Sequence, residues 1–67
     1  MPAGWEIRIW GVGAEDVWYA AIPDRSNAME AVAHASGSVI DTRCVKRELS
    51  SDDVSVLGVK AGGVMRA

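Results

Sequence analysis

His34, Asp41 and Cys44 are the residue types of a thiol nucleophile, its base and an orienting carboxylate. Such a group works only if the imidazole lies within reach of the sulfur, because the thiolate is the reactive species. Nothing in their spacing brings them together, and free cysteine is most often a small buried side chain. His34 therefore reads as a partly exposed helical residue and Cys44 as a strand residue turned inward. The run Gly11-Val12-Gly13-Ala14-Glu15-Asp16 begins like a dinucleotide-binding loop, but Asp16 stands where the third glycine belongs. A strand rather than a helix follows, so no helix N-terminus is offered to a phosphate. Asp52 and Asp53 fit the first turn of a helix, where carboxylates complement free amides, better than an acid–base pair. One histidine and one cysteine cannot make a structural zinc site. No catalytic, cofactor-binding or metal-ligating residue is assigned, and the chain is expected not to be an enzyme.

Recognition chemistry is better represented. Trp5, Trp10 and Trp18 fall in the first eighteen residues, with Tyr19 beside them. Trp5-Glu6-Ile7-Arg8-Ile9-Trp10 alternates strictly, so Trp5, Ile7 and Ile9 share one strand face and Glu6, Arg8 and Trp10 the other. The second run, 16–22, is apolar on both faces, and the glycine-bearing stretch 11–15 supplies a reversal between them. With Trp10 opposite Val17, Ile9 faces Trp18, Ile7 faces Ala20 and Trp5 faces Ile22, leaving Arg8, Trp10, Val17 and Tyr19 on the outer face. A one-residue slip would instead turn Val17, Tyr19 and Ala21 inward and Trp18 and Ile22 outward. Both registers leave aromatics on the face away from Ile7 and Ile9. Either the tail folds over them or they form an interface.

The remaining elements follow from their punctuation. Pro23 ends the second strand, and Asp24, with Ser26 in competition, caps a helix running to Ser36. Ala28, Met29, Val32, Ala35 and Ala31 form its apolar stripe, and Gly37 closes it. Residues 39–49 read as a third strand, with Ile40, Thr42 and Cys44 on one face and Val39, Arg43, Val45 and Arg47 on the other. Its basic cluster Arg43, Lys46 and Arg47, bracketed by Asp41 and Glu48, suits a solvated edge. Ser50 or Ser51 caps a short helix in which Val54, Val56 and Leu57 turn inward, ended by Gly58. The tail 59–67 allows a brief extra strand. A right-handed crossover returns strand three parallel to strand two, with strand one between them. The expected fold is α+β: a three-stranded split β-α-β sheet in the order 2-1-3 with a short C-terminal helix.

The 67 residues make one small domain. A chain this short buries only roughly 60% of its unfolded surface, and without a disulfide or metal, oligomerisation is the stabilising device left to it. Net charge −2 and pI near 5.1 disfavour general attraction to nucleic acid or anionic membrane. No segment resembles a secretory signal or a membrane span, and a free cysteine suits the cytoplasm. The expectation is a small cytoplasmic module that self-associates or binds another protein through Arg8, Trp10, Val17 and Tyr19. The alternative is single-stranded nucleic-acid binding by the same aromatics, which could stack unpaired bases beside Arg8.

Overall fold

The computed structural model describes residues 2–11, 14–37 and 45–67, with positions 10, 11, 14, 45 and 46 described by backbone alone. Its elements are β1 (Gly4–Gly11), β2 (Ala14–Ala20), α1 (Arg25–Ser36), β3 (Val45–Leu49), α2 (Ser51–Leu57) and β4 (Val64–Arg66). They form a four-stranded antiparallel sheet in the order β3-β1-β2-β4. The expected three-stranded sheet is thus corrected to four strands. The tail does not fold over the sheet but adds to it, taking the open side of β2 with Trp18 opposite Arg66 and Ala20 opposite Val64. An unpaired edge of β2 would otherwise carry a row of unmade backbone hydrogen bonds, and an ion pair from Arg66 to Asp16 at 2.8 Å ties the new strand in place.

The hairpin register is also corrected, by two residues. Ile7 pairs with Trp18, Trp5 with Ala20, Arg8 with Val17 and Trp10 with Glu15. Pairing continues to Gly11 and Ala14, so only residues 12 and 13 separate the strands, and Gly11, Ala14 and Glu15 join the ladder instead of the turn. A shift of two preserves the side-chain alternation, which is why the division into faces survives the correction while the one-residue slip would have inverted it.

Ile7, Ile9 and Ala20 meet Ala28 and Val32 of α1 in the core, with Trp5, Trp18, Ile22, Met29 and Val64 packed around them. Asp24 caps α1, accepting from the Asn27 amide at 3.3 Å, and Gly37 ends it at φ 71°. Alanine at position 28 lets the helix lie close on the sheet. The contact stops short of Ala35, which is exposed, so the stripe is one turn shorter than its sequence suggested. Trp5 reaches the loop before the helix, its Nε1 donating to the Pro23 carbonyl at 2.9 Å.

The start of α2 is set by a reciprocal pair. Ser50 Oγ accepts from the Asp53 amide, and the Asp53 carboxylate accepts from the Ser50 amide, both at 3.1 Å. The Ser50 amide first, and then the Ser50 hydroxyl, hydrogen-bond to the Asp53 carboxylate and hold it below its ordinary range, with the Arg47 charge adding to the effect. The folded state therefore gains from this group above the ordinary carboxylate range and loses that gain as pH falls through the lowered value. Val54 and Leu57 are half-buried, but Val56 is 87% exposed, contrary to the inward position expected for it. Two residues along a helix is about 200° of rotation, so Val54 and Val56 cannot share a face.

Candidate interaction surface

Helix α1 occupies one face of the sheet. The other face is built from alternate residues of all four strands: Arg47 and Leu49 of β3, Glu6 and Arg8 of β1, Val17 and Tyr19 of β2, and Met65 of β4. The ladder places three of the four sequence-selected residues, Arg8, Val17 and Tyr19, together on it. Arg8 sits opposite Val17, Tyr19 lies between Glu6 and Met65, and Trp10 takes the next register position beyond Arg8. Val17, Tyr19 and Met65 are half-buried and Arg8 is exposed.

Sequence reasoning missed the centre of this face. Glu6 is only 6% exposed, although its strand neighbours on that face are charged or aromatic. Its Oε2 accepts from Arg47 Nε at 3.1 Å and lies 3.6 Å from Arg8 Nε. The Arg8 guanidinium reaches Glu15 as well, at 3.4 Å. A carboxylate this far from water is stable as an ion only while cations face it. The signal was present in the sequence: antiparallel pairing of the first and third strands sets Glu6 beside Arg47. Losing Arg8 or Arg47 singly leaves Glu6 one partner. Losing both leaves a buried charge with none, so Arg8→Ala/Arg47→Ala is expected to cost about 2 kcal/mol more than the two single variants summed. Restoring stability by adding Glu6→Gln in urea denaturation would bear this out, whereas simple additivity would show that Glu6 is solvated in solution.

Leu49, 1% exposed, is the buried apolar anchor at one end of the face, and α2 packs there against β3. The helix buries none of its own residues. Between it and the sheet runs a cleft of about 210 Å³, walled by Tyr19, Arg47 and Leu49 on one side and Val56 and Leu57 on the other. The exposed Val56 thus extends the apolar character of Tyr19 and Met65 past the sheet edge.

The residues considered for catalysis do not converge. His34 is exposed in the last turn of α1, while Asp41 and Cys44 lie outside the described residues, as does Arg43. Asp53 is committed to capping α2. Among the described residues no group of three or more His, Cys, Asp or Glu could hold a metal ion, and no helix is long and apolar enough to cross a membrane. Comparison with known proteins adds no outside guide to this surface: no family model, no curated protein and no solved structure matches the chain.

Proposed function

We propose that this chain is a non-enzymatic interaction module that self-associates or binds a protein partner through the sheet face of Arg8, Trp10, Val17 and Tyr19. The observation that carries this is the one-sided placement of α1: it buries Ile7, Ile9 and Ala20, while on the opposite face α2 packs against β3 at Leu49, with Tyr19 walling the cleft beside it, and leaves Val17, Tyr19 and Met65 partly exposed. Half-buried aromatic and aliphatic groups ringed by charge have the composition of a contact surface with an apolar centre and a polar rim. The charges there are of both signs, Arg8 and Arg47 against Glu6 and Glu15, which suits a protein surface of mixed charge and also a second copy of itself.

Single-stranded nucleic acid is the weaker alternative. Among the described residues, both arginines on the face are engaged by carboxylates, so stacking on Tyr19 would find little free positive charge from them to meet the phosphates. The two classes separate on one substitution. Trp10→Ala is expected to weaken association by about 2 kcal/mol or more, with little dependence on salt, measured by light scattering after size exclusion across a concentration series. Oligonucleotide binding that quenches tryptophan fluorescence and falls steeply with salt would favour the alternative instead.

A further inference from the structure

We infer that the edge of β3 on which no described strand lies pairs with the same edge of a second copy of this chain, antiparallel and centred on Arg47, joining two sheets into one. The backbone directions come from the ladder. In an antiparallel sheet the N–H and C=O of one residue point to one neighbouring strand and those of the next residue to the other. The Ala67 amide donates to the Val17 carbonyl at 2.8 Å and the Ala21 amide to the Gly63 carbonyl at 2.9 Å, so Val17 and Ala21 face β4. Trp18 and Ala20 then face β1, and their partners Ile7 and Trp5 face β2. Glu6 and Arg8 turn to β3, where they engage Arg47 and position 45. Lys46 and Glu48 are left with their backbone groups directed away from β1, to the side on which no described strand lies.

Unpaired edges are templates for another strand, and charged residues commonly protect them. Here the order of the charges selects a partner instead. Pairing two such edges antiparallel can set Lys46 against Lys46, Glu48 against Glu48, or Lys46 against Glu48. The first two oppose like charges. The third, centred on Arg47, gives two opposite-charge pairs by symmetry, each on residues that exchange backbone hydrogen bonds. Arg47 would meet its symmetry mate, but its charge is already held by Glu6 at 3.1 Å on its own sheet. Helix α1 packs on β1, β2 and β4, so no described helix flanks β3 on the face that carries Glu48, which is exposed. The inferred contact uses an edge, not the proposed interaction face, and it sets two copies of that face side by side on one continuous sheet.

Sedimentation equilibrium on the full chain tests the pairing through charge reversal. The wild type is expected to dimerise at concentrations up to several hundred micromolar, and Lys46→Glu or Glu48→Lys alone to raise the dissociation constant about tenfold or more, since each opposes like charges twice. The double variant restores attraction and should return to the wild-type constant. Mixing the two single variants should yield a heterodimer in which every pair is opposite in sign, which also shows that both chains are folded. Strictly monomeric wild type over that range overturns the inference, as does a dimer indifferent to both reversals. A dimer that withstands the reversals but is lost in Trp10→Ala would assign association to the sheet face and leave the function proposal standing without the edge.

Discussion

Replacing Gly4 with alanine is expected to remove about 3 kcal/mol of stability or more. Gly4 is buried at the start of β1, paired with Leu49 of β3. A Cβ built on it would overlap the Ala20 carbonyl oxygen and crowd the Ala21 Cα at 3.3 Å. These are backbone atoms of the neighbouring strand, so no side-chain rotation relieves them. The strands would have to separate where β1 holds both its partners. A domain of this length has only about 3–10 kcal/mol in total at typical values per residue, so the variant should be partly unfolded at room temperature. Urea denaturation followed by tryptophan fluorescence should show the midpoint falling sharply. A midpoint within error of wild type would mean that the close approach of β1 and β2 at this point does not exist in solution.

Ile7→Ala is expected to be comparably damaging, by about 2–5 kcal/mol. Ile7 is fully buried in the central strand β1, under α1 and beside Ala20, Ala28 and Val32. Alanines on both the sheet and the helix leave few large groups in this core, and the other bulky buried one that α1 contributes is Val32. Trp18, opposite it on β2, and Met29 of α1 stand at the margin of this core, and to the extent that they keep their places the cavity term adds to the lost burial. Ile7→Val removes one methyl group and should cost about 1 kcal/mol. A near-equal loss for the two variants would show that the core collapses around the deletion and is less rigid than described here.

Much of the architecture could be read from the chain because local signals agreed with one another. Strict alternation from Trp5 to Trp10 fixed which residues share a face, and a two-residue error in register did not disturb it because two is the period of a strand. Asp24, Gly37, Ser50 and Gly58 bound their helices where capping chemistry placed them. What escaped depended on tertiary partners. The brief strand the tail allowed does form, at Val64–Arg66, but its place in the sheet escaped, because that place is decided by the side of β2 it pairs with rather than by its own propensity. Glu6 looked like an ordinary solvent-facing residue because Arg47, which engages its carboxylate, lies forty-one positions away in sequence. Val56 was misplaced for a simpler reason, since an apolar run in a helix of 7 residues does not all point one way. Of the chosen surface, Arg8, Val17 and Tyr19 lie together as the alternation required, and Trp10 follows them in register.

The sheet face opposite α1 is expected to be open in the isolated chain and covered when a partner binds it. Amide relaxation by a soluble paramagnetic probe, recorded on labelled protein at low and at high concentration, measures both states residue by residue. At low concentration Arg8, Val17, Tyr19 and Met65 should relax strongly beside Ile7 and Val32, which stay protected. At high concentration, or with a protein partner present, the same four should become protected while His34 and the exposed side of α1 do not change. Protection of these four already at low concentration would mean that the face is covered within one chain. Continued accessibility at every concentration and with a protein partner bound would contradict the proposed function, because a dimer joined along the β3 edge alone leaves this face open.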